Sequence, residues 1–244
     1  MKVLILAAGF GIRLHPLTKN FPKGLLKIKG KEIILNVLDK IIDNPKIDQF
    51  ALISNQVAFP YFKNFLDKNE KYNKIKLLNN GVSDSEKSLG AIGDLLLALN
   101  ELGWEDDLLV LPSDTLVSLD FTELINFYEK KRGFVNVVYD ACDKEIIRNK
   151  LGCAVLDGDK LINFEEKPDE PKSTFQSVPI YIYPKNDLRL VREYADNKAN
   201  NLGSPGAIIP FLIKKTKTYA FQIKNGFYHD VGTKQILEEL NVLK

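Results

Sequence analysis

The sequence holds only two cysteines in 244 residues, and Cys142 and Cys153 are not spaced as a Cys-x-x-Cys pair. That scarcity excludes a disulfide framework and a cysteine zinc site, and the two thiols read as ordinary buried or surface residues. Histidine is equally scarce: of the only two, His15 reads as an ordinary loop residue, and His229 as one that packs or hydrogen-bonds rather than ligating a metal. No long hydrophobic run is present. The opening one, Val3 to Ala8, falls far short of a signal-peptide core or a membrane span, so a cytoplasmic chain with no membrane partner is expected. An excess of one charge is also missing. With 34 Lys and Arg against 32 Asp and Glu, the net charge of +2 provides no broad positive field for nucleic acid. Any affinity for phosphate must be local. No linker and no internal repeat interrupts the chain, so residues 1–244 read as one domain.

Apolar strand patterns alternate with helical ones. Strands are expected at 2–7, 49–54, 74–78 and 107–111, and the stripe Ile33, Ile34, Val37, Leu38, Ile41, Ile42 recurs at helical spacing. Similar patterns at 60–68, 89–102 and 120–131 supply further crossover helices. This alternation predicts a parallel sheet covered on both faces. From Val135 onward the strands shorten. Asp157-Gly158 between apolar runs marks a hairpin, and with the run Val178 to Tyr183 it predicts a partly antiparallel extension at the sheet edge. Ser204-Pro205-Gly206 reads as a helix start.

The densest signal is the first loop. Strand residues run into Leu6-Ala7-Ala8-Gly9-Phe10-Gly11-Ile12-Arg13, and Phe21-Pro22-Lys23 follows. Small residues let backbone N–H groups approach an anion, while Arg13 and Lys23 offer a planar fork and a point charge for phosphate oxygens. A Walker A loop would need Gly-Lys-Ser/Thr, which is absent. A dinucleotide fingerprint would need a third glycine where Leu14 stands, and an acid near Ile53-Ser54-Asn55. A plain tight turn explains Gly9 and Gly11 but not the two cations.

The run Leu6 to Thr18 followed by Pro22-Lys23 resembles the signature of the sugar-phosphate nucleotidyltransferases, the nucleoside-diphosphate-sugar pyrophosphorylases. Glu32 stands where that family has the proline of a Gly-Lys-Pro turn. The resemblance implies an α/β fold, a Rossmann-like three-layer sandwich with a mostly parallel mixed sheet and a small antiparallel extension. Residues 1–115 would mainly hold the nucleotide and 116–244 the sugar phosphate. It implies nucleotide contacts at Leu6, Ala7, Ala8, Gly9, Gly11, Arg13, Lys23 and Gly90, with Arg13 and Lys23 catalytic. Asp114, closing an apolar strand, and Asp230, in Tyr228-His229-Asp230-Val231-Gly232-Thr233 before a last helix, would hold Mg²⁺. Ser113-Asp114-Thr115 departs from the family's Gly-Asp-Asn. Gly152, Glu166 and Lys167 would bind the sugar phosphate, the last two through a Glu-Lys-Pro motif.

The implied partners are a nucleoside triphosphate and a sugar 1-phosphate, joined with loss of pyrophosphate. Assembly into a homo-oligomer is left open. The segment from Asn79 to Ala91 occupies the family's base-reading region and leaves the base undetermined. Two other readings remain: a cytidylyltransferase for a non-sugar phosphate such as phosphocholine, or a non-catalytic nucleotide-sugar-binding homologue. The first would not need Glu166-Lys167-Pro168. The second tends to lose Arg13, Lys23 or an aspartate, and all of these are present.

Overall fold

A computed structural model describes residues 1–232 together with 237 and 238. Strand β1 (Lys2–Ala7) divides its side chains between two cores, because successive strand residues point to opposite faces. Val3, Ile5 and Ala7 join one apolar cluster, and Leu4 and Leu6 join the other. After β1 come the glycine loop, two short 3₁₀ turns at Ile12–Leu14 and Lys23–Leu25, and a small hairpin of β2 (Lys27–Ile28) and β3 (Lys31–Glu32). Helix α1 (Leu35–Ile41), β4 (Gln49–Ser54), α2 (Phe59–Lys68), β5 (Ile75–Asn79), α3 (Gly90–Leu102) and β6 (Leu108–Pro112) follow. Strands β5, β4, β1 and β6 lie side by side and all run parallel. Their bounds match the four expected strands to within one residue.

The second half supplies β7 (Thr115–Val117), α4 (Phe121–Lys131), β8 (Phe134–Asp140), α5 (Lys144–Ile147), β9 (Gly152–Asp157) and β10 (Lys160–Glu166). These are followed by β11 (Phe175–Tyr183), α6 (Leu188–Asp196), α7 (Ile209–Lys215), β12 (Thr218–Ile223) and β13 (Tyr228–Asp230). The main sheet has nine strands in the order β5-β4-β1-β6-β11-β8-β12-β10-β9. Only β10 and β11 run against the others. The sheet is therefore mixed and mostly of one direction. Helices α1, α2 and α4 pack on one face through Val37, Phe62 and Leu124; α3, α6 and α7 pack on the other through Leu95, Val191 and Leu212. Three layers result, as the alternating pattern predicts. Between β9 and β10 the chain turns at Gly158, whose φ of 59° suits glycine.

One local expectation is corrected. Ser204-Pro205-Gly206 does not start a helix; the chain makes successive turns to residue 208, and α7 begins at Ile209 with Pro210 in its first turn. Gly206 is held instead by tertiary packing: a Cβ there would lie 2.7 Å from Glu166 Oε2 and 2.8 Å from the Phe164 ring. Thr233, and all of the expected last helix except the helical Leu237 and Glu238, lie outside the described residues. No described helix is long and apolar enough to cross a membrane.

Helix α3 is clamped at its start. Gly90 has φ 75°, and the Ile92 N–H donates to the Leu202 carbonyl at 3.0 Å. A Cβ at position 90 would lie 2.3 Å from that same carbonyl oxygen, which is backbone and cannot swing aside. We therefore expect Gly90→Ala to reduce unfolding stability by on the order of 2 kcal/mol or more, read from urea denaturation at constant slope.

Candidate functional site

Two carboxylates meet because two short strands pair. In the β7–β13 ladder Asp230 lies opposite Thr115, and the Val231 N–H donates to the Asp114 carbonyl at 3.3 Å. Sequence alone places each aspartate at a strand end; the antiparallel register brings them face to face. Between them sits the Lys23 ammonium, with Nζ 2.7 Å from Asp114 Oδ2 and 3.3 Å from Asp230 Oδ1. Lys23 reaches this point because Gly24 lies against the backbone of Ser113, where a Cβ would come within 2.8 Å of the Ser113 carbonyl oxygen. The serine that replaces the family's glycine is thus accommodated by a glycine across from it.

Charge and burial are set against each other here. Burial pulls the Lys23 pKa down, but Asp114 and Asp230 outweigh it, and the ammonium is held above its ordinary value. Burial raises the Asp230 pKa, the attraction of Lys23 opposes this, and the like charge of Asp114 adds to the rise. Asp114 and Asp230 keep 31% and 43% of their side chains accessible, so both still face the cavity above them. Among the described residues no group of three or more His, Cys, Asp or Glu is arranged to hold a metal by itself. Two oxygen-donor carboxylates are nevertheless a suitable protein share for Mg²⁺, which commonly keeps waters and phosphate oxygens as its remaining ligands.

The glycine loop forms the adjoining wall. Gly11 has φ 60°, the Thr18 hydroxyl donates to its carbonyl at 2.7 Å, and the Asn55 amide donates to the Ala8 carbonyl at 2.9 Å. These two side chains brace the loop from opposite sides. A Cβ at Gly9 would meet no atom within 4 Å, so its absence leaves open room in front of the loop. Arg13 stands on the following 3₁₀ turn, exposed, and contributes an attractive charge at Asp230.

Opposite the loop, β10 ends in Glu166, and the Lys167 N–H donates to the Leu151 carbonyl at 3.2 Å. The missing Cβ at Gly152 makes room for the Phe164 ring, 2.5 Å from where that atom would lie. All the sequence-expected site residues line one cavity of about 410 Å³: Leu6, Ala7, Ala8, Gly9, Gly11, Arg13, Lys23, Gly90, Asp114, Gly152, Glu166, Lys167 and Asp230. His15 and His229 are exposed and outside this lining; His229 stacks on Phe227 with ring centroids 5.6 Å apart.

Several lining residues escape sequence reasoning. Gly24, Lys150, Ser177 and Tyr181 come from elements that touch only after folding. Asp94 leaves a signal in the sequence, an acid on the inward face of the apolar segment 89–102.

Comparison with known proteins places the chain among relatives of one family. The bifunctional protein GlmU of Methanocaldococcus jannaschii is 30% identical over 99% of this chain and 53% of its own length. The glucose-1-phosphate adenylyltransferase of Mycoplasma mobile is 28% identical over 99% of this chain and 66% of its own. The chain thus spans about half to two thirds of the length of these relatives. A UDP-glucose pyrophosphorylase solved with UDP-glucose superposes with a TM-score of 0.80 at 18% identity, covering 98% of this chain and 97% of that one, and so shares the fold. With the family model matching residues 2–243, the chain belongs to the nucleotidyl transferase family.

Proposed function

We propose that the protein joins a nucleoside triphosphate and a sugar 1-phosphate into a nucleoside-diphosphate sugar, releasing pyrophosphate. The observation that carries this reading is the cluster of Lys23, Asp114 and Asp230 at the middle of a cavity with a glycine loop at one wall and Glu166 and Lys167 at the other. Family membership and the adenylyltransferase relative support it. In this reading residues 1–115 mainly serve the nucleotide and 116–244 the sugar phosphate.

The chemistry needs no strong base. A phosphomonoester loses its second proton near pH ~6, so the attacking oxygen is already largely anionic at neutral pH. That oxygen forms a bond to the α-phosphorus as the bond to pyrophosphate breaks in line with it. The barrier is the approach of two anions, and positioned cations lower it. Backbone N–H groups around Gly9 and Gly11 cradle the phosphates. The Arg13 guanidinium takes the departing pyrophosphate through its planar fork, and the Lys23 ammonium aligns the α-phosphate. Lys167 holds the sugar phosphate. Glu166 accepts hydrogen bonds from sugar hydroxyls, its carboxylate given room by the missing Cβ of Gly206. That carboxylate, useful for a polyol, favours a sugar over a non-sugar acceptor.

Asp114 and Asp230 would hold a divalent cation, Mg²⁺ by the hardness of the two carboxylates. When bound, it would neutralise part of the phosphate charge as a Lewis acid.

Arg13→Ala and Asp114→Ala should each lower kcat by roughly 10²-fold or more, as loss of a preorganised charge partner does. A pyrophosphate-release assay across several nucleoside triphosphates and sugar phosphates reads both the activity and these losses; near-normal turnover in either variant would overturn the role assigned to that residue. Lys167→Ala should raise the KM for the sugar phosphate much more than that for the triphosphate. Removing divalent ions with EDTA should abolish release and Mg²⁺ restore it, and Asp230→Asn should raise the Mg²⁺ concentration needed for half-maximal rate.

A further inference from the structure

One carboxyl group in the cavity wall has no task in the transfer just described. Asp94 lies on α3 among Ile92, Leu95 and Ala98, all apolar and buried, and is itself only 5% exposed. Its Oδ1 accepts the Asn80 amide N–H at 2.8 Å. Asn80 is fixed in turn: its backbone N–H donates to the Ser54 carbonyl and its side-chain oxygen accepts the Val82 N–H, both at 2.9 Å. Asp94 Oδ2 has no hydrogen-bond partner among the described residues, and the residue lines the cavity. Burial pushes the Asp94 pKa up, and the Asn80 contact pulls it partly back. A carboxyl group on an otherwise apolar helix face is costly, and one with an oxygen left over inside a cavity is suited to a ligand donor.

Its place in the sheet says which end of the ligand it meets. Asn80 directly follows β5, next to β4 and β1, whereas Gly152 and Glu166 belong to β9 and β10 at the opposite edge. Lys23, Asp114 and Asp230 stand between these ends, beside β6. With the phosphates at the middle and the sugar beside Glu166, the nucleoside extends toward Asp94. We propose that Asp94 selects the nucleobase, taking bases with an exocyclic amino group, guanine before adenine and cytosine, over uracil and thymine. This rests on the nucleotidyl-transfer reading above.

The chemistry is that of donors and acceptors. An amino N–H donates to Oδ2, and guanine adds a ring N–H beside its amino group, so two adjacent donors face one carboxylate. Uracil and thymine carry a carbonyl oxygen on each side of their single ring N–H, and an oxygen facing a carboxylate is repelled. Family membership does not decide the base, since an adenylyltransferase and a UDP-glucose pyrophosphorylase both resemble this chain.

The test measures kcat/KM for GTP, ATP, CTP, UTP and dTTP with a sugar 1-phosphate, in the wild type, Asp94→Asn and Asp94→Ala, with the thermal midpoint of each variant as a check on folding. The wild type should prefer an amino-bearing triphosphate, GTP foremost, over UTP and dTTP by at least tenfold. In Asp94→Asn the new amide can still accept from Asn80 while turning its N–H₂ into the cavity, so the ratio should fall by roughly ten- to a hundredfold, the scale of a charge-assisted hydrogen bond. Asp94→Ala should lower kcat/KM for the preferred triphosphate more than for UTP. A wild type that prefers UTP or dTTP, or an unchanged ratio in both folded variants, would overturn the assignment. If no pair releases pyrophosphate, the transfer reading fails instead. Equilibrium dialysis of the same five nucleotides then decides: amino-bearing preference lost in Asp94→Asn supports base selection by Asp94, and equal binding of all five defeats it.

Discussion

The ammonium of Lys23, held between Asp114 and Asp230, is the interaction on which the site depends. A lysine this enclosed needs compensating charge, and two carboxylates this close need a cation between them. Each requirement answers the other, so three separate chain segments are tied at one point. The first loop brings the lysine, the end of β6 brings one acid, and β13 brings the other. Neither carboxylate is spent in the process, because both keep part of their surface open to the cavity.

Close approach makes that tie geometrically available. Gly24 presses on the backbone of Ser113, Gly90 on the backbone of Leu202, and Gly206 on Glu166 and Phe164. At Gly24 and Gly90 a single methyl group would force backbone apart, and at Gly206 it would displace two side chains. Gly24, Gly90 and Gly206 thus admit protein backbone or side chains, whereas Gly9 faces open space in front of the loop.

The sheet order then spreads chemistry along the cavity. The end of β1 and the first turns of α3 line one side, the end of β6 with Asp230 of β13 the middle, and Gly152 of β9 and Glu166 of β10 the other. Glu166 at the end of β10 and Gly152, its ladder partner at the start of β9, line the same cavity as the end of β1.

Much of this was legible in the sequence. The parallel strands were bounded by apolar runs and turn residues, and the glycine loop with Arg13 and Lys23 announced phosphate chemistry through residue types alone, since those signals are local. What remained hidden depended on pairs distant along the chain. Ser204 to Gly206 carried the local signature of a helix start, yet contact with β10 decided its conformation. Asp94 stood in a run that reads as plain core until Asn80 and the cavity are placed beside it. The sequence by itself determined the alternating α/β layers, the loop and the set of candidate side chains, because propensity, periodicity and backbone sterics act over a few residues. Only the tertiary structure decided that Asp230 lies across from Thr115, that Lys23 rather than open solvent lies between the acids, and that Asp94, held by Asn80, lines the cavity. Strand register and close packing are set by the whole folded chain, and no short stretch encodes them.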